Sequence, residues 1–248
     1  MTPLILAYIA LLTFLLLVPG FAFAQSVSID LGAAGQSGAT GRLLQLTALV
    51  TALSLAPSLL VMVTSFTRIV IVLSLLRSAI GAQGTPPNTV LIGLALFLSF
   101  FVMQPTLEQA WSAGVMPLSS GQVSELEGLR LSAEPFHRFM AGNVRGSDLQ
   151  LFQDLAGLPA ADTPSAAAWR ALVPAFMIGE MRKAFEIGFL LYLPFLVIDL
   201  VIGSVLMSLG MMMLPPGAVS LPFKLIFFVL VDGWRLVSGS LVQGFVPS

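Results

Sequence analysis

The chain has 248 residues, 57% of them hydrophobic and 9% charged, with a net charge of −1. A soluble domain carries about 25% charged residues, so this composition cannot cover a water-facing surface and places the chain in the membrane class. The near-neutral balance argues against a nucleic acid or other polyanion as partner, and the lack of cysteine excludes disulfides, thiolate metal sites and cysteine nucleophiles.

Residues 1–24 read as a secretory signal peptide: an apolar core from Leu4 to Val18, a Pro19-Gly20 break, and a small-x-small end at Ala22-Phe23-Ala24. No Lys or Arg precedes the core, so an uncleaved anchor is the competing reading. Residues 25–41, rich in Gly, Ser and Ala, read as a flexible linker. Residues 43–67 carry no charge and are long enough to span about 30 Å of hydrocarbon as a helix, kinked at Pro57, with the pattern continuing through Leu73. Residues 81–88 form a turn, and residues 89–104 a second apolar helix that Pro105 is expected to end. Residues 42–107 thus predict a first helical hairpin.

Charge concentrates next: 15 of the 23 charged residues lie between Glu108 and Glu186. Residues 108–182 predict a small extracytoplasmic domain of amphipathic helices, with Phe136, Phe139, Met140 and Val144 on one helical face and Phe152, Leu155 and Ala156 on another. Phe139 and Phe152 suit either this domain's core or a subunit contact. Thr163 or Ser165 can cap a helix starting at Ala166. Residues 183–248 predict a second hairpin: residues 184–213 run one way, Met213-Leu214-Pro215-Pro216-Gly217 turns, and residues 220–246 return. The fold class is therefore all-α and membrane-associated, with two long hairpins flanking a small helical domain.

Nothing in the sequence predicts an enzyme or a bound cofactor. The single histidine, His137, reads as a solvated surface residue with no oriented partner. Glu125 and Glu127 read as solvated acids, and no phosphate-binding Gly-rich loop, GxSxG elbow or HExxH is present. Ionisable residues in apolar surroundings carry more information, because charges at membrane depth pair or line an aqueous path. These are Glu186, Asp199, Lys224 and Asp232, with Asp199 suited to local backbone or hydroxyl groups near Ser204 and Ser208. Gly203, Met207 and Gly210 share a face, and Ser204 and Ser208 form a small-xxx-small pair; both predict close helix packing. The methionines at 211–213, with Met207 one turn behind, suit packing at a hairpin tip, a Cu(I) thioether site, or a ring from several copies closing a pore.

Three blocks carry a family resemblance: GEMRKAFEIGFLLYLPFLVIDLVIGSVLMSLGMMMLPP at 179–216, SLAPSLLVMVTSFTRIVIVLSLLRSAIGAQGTPPNTVLIGLALFLSFFVMQP at 54–105, and SLPFKLIFFVLVDGW at 220–234. The chain resembles the FliP family of flagellar type III export-gate subunits, over most of its length beyond the signal. That resemblance implies a cleaved signal peptide and a homo-oligomer of about five copies, forming most of a ring. It further implies a multi-subunit helical pore at the bacterial inner membrane, in the flagellar basal body. Homologues of FliQ and FliR would complete the ring, with homologues of FlhA and FlhB alongside, and unfolded flagellar subunits as cargo. It implies that Met211, Met212 and Met213 constrict the channel, and that Glu180 pairs with Lys224 between staggered subunits. Within one straight hairpin those two residues do not reach each other. The alternatives are the related virulence injectisome subunit and, in a different class, a small-solute or copper transporter.

Overall fold

The computed structural model describes residues 61–82, 84–211 and 213–245, and six single positions before them: 46, 47, 50, 51, 54 and 58. The signal peptide, the linker and most of the helix expected at 43–67 lie outside the described residues. The chain divides after Leu53. In the first unit the Thr51 hydroxyl donates to the Thr47 carbonyl at 2.8 Å within helix; all that follows concerns the second.

The second unit is all-α among its described residues. Helix α1 (Phe66–Ile80) ends at Gly81, whose left-handed φ of 78° closes the last turn through an N–H bond to the Ser78 carbonyl at 3.1 Å. Helix α2 (Asn88–Ala110) continues through a π-helical turn, Trp111–Val115, and a final turn, Met116–Ser119. Helices α3 (Glu125–Asn143) and α4 (Gly146–Leu155) form the charged domain. Helix α5 (Trp169–Ser208) is 40 residues, about 60 Å, long. Helices α6 (Pro216–Leu230) and α7 (Gly233–Gln243) meet at a bend of 62°.

Four sequence expectations change. Pro105 does not stop α2. Met103, Thr106 and Ala110 continue one buried stripe beyond it, and α2 packs on α3, so tertiary burial outweighs the one hydrogen bond that proline removes. The run through Leu73 is interrupted at 63–65, just before α1. Residues 164–166 form a 3-10 turn, the Thr163 and Ser165 hydroxyls bond each other at 2.9 Å, and α5 starts at Trp169. The boundary expected at 182/183 falls inside α5, which serves both the domain and the second hairpin.

Two cores result. In the larger, Ile69, Val72, Leu73 and Leu76 of α1 meet Leu91 and Ala95 of α2, Ala184 and Phe195 of α5, Phe228 of α6 and Leu241 of α7. The hairpins therefore share one core. Helices α1 and α5 run in the same direction, because Arg68 meets Glu180 and Leu75 meets Gly188. A Cβ at Gly188 would lie 2.2 Å from Leu75 Cδ1, so glycine sets that approach. In the smaller core, Met140 and Ala141 of α3 and Leu149 of α4 pack on Ala171, Leu172, Ala175 and Phe176 of α5.

The tightest backbone approach lies where the π-helical turn meets α3. A Cβ at Gly114 would stand 2.5 Å from both the Gly128 carbonyl oxygen and the Ser132 nitrogen. Gly114→Ala therefore forces backbone apart and is expected to destabilise the fold by about 1–3 kcal/mol or more. Gly142→Ala, with nothing within 4 Å, serves as the unstrained control. Thermal unfolding in detergent measures both, and equal melting temperatures would contradict the packing described.

Candidate functional site: two buried charge clusters and a methionine turn

The first cluster joins the two cores. Glu180 and Arg68 are 0% and 2% exposed. Their pairing is bidentate: Arg68 Nε donates to Glu180 Oε2 at 2.7 Å and Nη2 to Oε1 at 2.6 Å. Arg68 Nη1 donates to the Gly244 carbonyl at 3.1 Å, and the guanidinium lies 3.6 Å from the centre of the Phe245 ring. Phe245 stacks on Phe139, and Phe139 meets Phe176 edge-on, each pair with centroids 5.9 Å apart. Lys183 Nζ lies 3.6 Å from Glu180 Oε1 and donates to the Asn143 carbonyl at 2.9 Å, at the negative end of α3. One carboxylate thus ties α1, α5, the end of α3 and the end of α7.

The second cluster sits at the other end of α1. Lys224 Nζ donates to Asp199 Oδ2 at 2.6 Å and to the Ala79 carbonyl at 3.2 Å. The Ser220 hydroxyl, one turn before Lys224, donates to Asp199 Oδ1 at 2.5 Å. Ser220 is fully buried and Lys224 nearly so. Asp199, expected to bond local groups on its own helix, instead takes a hydroxyl and an ammonium from α6. Ser204 and Ser208 are exposed and donate back to the Val201 and Val205 carbonyls at 2.8 and 2.7 Å.

Beyond this cluster comes the methionine turn. Gly210, at φ 73°, is the left-handed residue after α5. Its N–H bonds the Met207 carbonyl at 3.1 Å, and the Met211 N–H bonds the Leu206 carbonyl at 3.0 Å, the two bonds of a Schellman motif. Gly210 thus terminates the helix rather than packing it; Gly203 is buried, and a Cβ there would touch Pro216 Cβ at 3.8 Å. Met207, Met211 and Met213 are 62%, 44% and 98% exposed. Met212 lies outside the described residues.

Several placements differ from the sequence reading. Glu180 and Lys224, expected to pair between subunits, are each bonded inside the chain, to Arg68 and to Asp199. Glu186 and Asp232, expected in apolar surroundings, are exposed. Six residues at 100° each carry Glu186 to the face of α5 away from Glu180. Asp232 sits at the α6–α7 bend with a left-handed φ of 51°. His137 is buried rather than solvated: its Nε2 donates to the Ala167 carbonyl at 2.8 Å, and its ring meets Trp169 edge-on at 4.9 Å. Phe139 and Phe152 pack against the smaller core, Phe139 also bridging to Phe245. Arg68 is the partner that sequence reasoning missed. Its signal was present: an arginine isolated in an apolar helix requires a buried acceptor.

Helices 88–119 and 169–208 are long and apolar enough to cross a membrane, and the bent α6–α7 pair adds a third candidate. With charges neutralised in buried clusters, the fold is that of an α-helical membrane protein. Its sequence matches the FliP family profile over residues 49–241. The flagellar biosynthetic protein FliP of Caulobacter vibrioides is 56% identical over 230 residues, 92% of this chain and 86% of that one. The same-named proteins of Agrobacterium fabrum and Bacillus subtilis are 47% identical over 241 residues and 48% over 197, covering 96% and 79% of this chain and 98% and 89% of theirs. The chain belongs to the FliP family.

Removing one partner of a buried ion pair strands the other charge, at about 3–5 kcal/mol. Glu180→Gln is accordingly expected to cost that much, while Arg68→Met with Glu180→Met recovers most of it. Denaturation of the purified chain measures the cycle. A single variant as stable as the parent would remove the pair as the joint between the cores.

Proposed function

We propose that this chain is a pore-forming subunit of the flagellar type III protein export gate. It would pass unfolded flagellar subunits across the bacterial inner membrane, at the flagellar basal body. The observation that carries the reading is the exposed methionine turn at the end of a hairpin whose base is fixed by buried charge. Methionine is flexible and polarizable, so a ring of such turns can deform around a polypeptide and close again behind it. A closed apolar constriction blocks ions by excluding water.

Family membership supports the flagellar assignment, since the relatives are flagellar biosynthetic proteins by name. Assembly has support in the outward faces. Phe97, Phe100 and Phe101 of α2, Phe185, Phe189 and Leu190 of α5, and Val229 and Leu230 of α6 are all exposed. Copies of the chain, together with homologues of FliQ, FliR, FlhA and FlhB, would cover such faces. The role is structural rather than catalytic, with the driving energy supplied by other components.

Replacing Met211, Met212 and Met213 by alanine is expected to leave assembly intact and raise ion permeability of the expressing membrane severalfold. Conductance or dye-leak assays read this directly. Permeability equal to that of the parent would refute the seal.

A further inference from the structure

We propose that Asp199, Ser220 and Lys224 are positioning residues: a clamp that fixes where the methionine turn stands. The inference rests on the reading of that turn as a seal. A seal made of flexible side chains closes reproducibly only if its backbone starts from a fixed place.

The geometry points to these three residues. Asp199 lies nine residues before the end of α5, about 14 Å along the helix. Ser220 and Lys224 are one turn apart on α6 and both reach Asp199, at 2.5 and 2.6 Å. Each Asp199 oxygen has its own donor, so the two helices of the hairpin are tied at a defined register. Lys224 also reaches out of the hairpin to the Ala79 carbonyl at 3.2 Å, near the negative end of α1. That contact ties the hairpin to the shared core, where Leu73, Leu76 and Phe195 are buried.

On the far side of the clamp the attachments thin out. Leu206 is buried and Gly203 faces Pro216, but Met207, Leu209 and Met213 are exposed. No side-chain hydrogen bond or ion pair from residues 209–211 or 213–216 to another helix is found among the described residues. The turn is therefore a short lever on a fixed base. Freeing the base would let the methionines move while leaving both cores in place.

The test measures the turn's position separately from its seal. The chain has no cysteine, so Met213→Cys with Ser78→Cys allows spin labelling without background. Full-length labelled chain, diluted with unlabelled chain in membrane vesicles, gives the distance distribution between the labels. Lys224→Met is expected to at least double the width of that distribution, and Lys224→Arg to restore it. A second pair, Ser78→Cys with Thr89→Cys inside the first hairpin, keeps its width; a general loss of structure would broaden both. An unchanged Met213–Ser78 width in folded Lys224→Met would overturn the clamp. Should Lys224→Met fail to fold, Ser220→Ala removes a single hydroxyl contact and is expected to broaden the distribution less; no broadening there would equally overturn it. Permeability measured on the same vesicles separates the two ideas. A broadened turn without leakage keeps the clamp and removes the seal, whereas a leak on methionine replacement with an unmoved turn in Lys224→Met keeps the seal and removes the clamp.

Discussion

The arrangement depends on the bidentate contact between Arg68 and Glu180. Both side chains are out of water, so neither tolerates loss of the other. Such a pair adds little net stability over well-packed apolar residues. Its consequence is register. A slip of one turn between α1 and α5 would strand two buried charges, a cost comparable to the whole stability of many domains. Apolar packing alone, with leucines and valines along both helices, would discriminate much less between neighbouring registers. With the register set, Gly188 receives Leu75, and the smaller core is held to the larger through Phe139, Phe176 and Phe245.

The same logic operates at the other end of α1. There Lys224 and Asp199 neutralise each other, and the Ala79 carbonyl accepts a further bond. Helix α1 is thus pinned at both ends by charge and along its length by apolar contact. What remains free is the outer apolar surface and the methionine turn. A single chain leaves Phe97, Phe100, Phe185 and Phe189 uncovered, and lipid or further subunits must cover them. A fixed interior, an apolar exterior and an exposed methionine tip are what the proposed channel subunit would require.

Much of this was legible in the sequence. Composition and charge distribution gave the membrane class and located the charged domain, since hydrophobic surface and charge are additive properties of the residues. The hairpin turn at 81–88 followed from Gly and Pro, whose backbone preferences are local; the second, expected at 213–217, starts earlier because Gly210 ends α5. Pro105 misled because its local effect was outweighed by burial of Met103, Thr106 and Ala110. Glu186 and Asp232 were misplaced because exposure depends on which face a neighbour occupies, and no periodicity encodes that. The partner choice of Glu180 and Lys224 was the least legible. Arg68 is 112 residues from Glu180 in sequence, and only the parallel packing of α1 on α5 brings them together. His137 was hidden for the same reason, its burial being supplied by the chain around Ala167 and Trp169.

On the proposed function, this chain works as one of several copies around a channel. The most direct test is the native mass of the detergent-extracted protein, expressed alone and then with homologues of FliQ and FliR. A discrete multimer that takes up both partners into a larger particle of fixed mass is expected. A monomer or dimer that ignores both partners would contradict it, because the methionine turns would then have no ring to form.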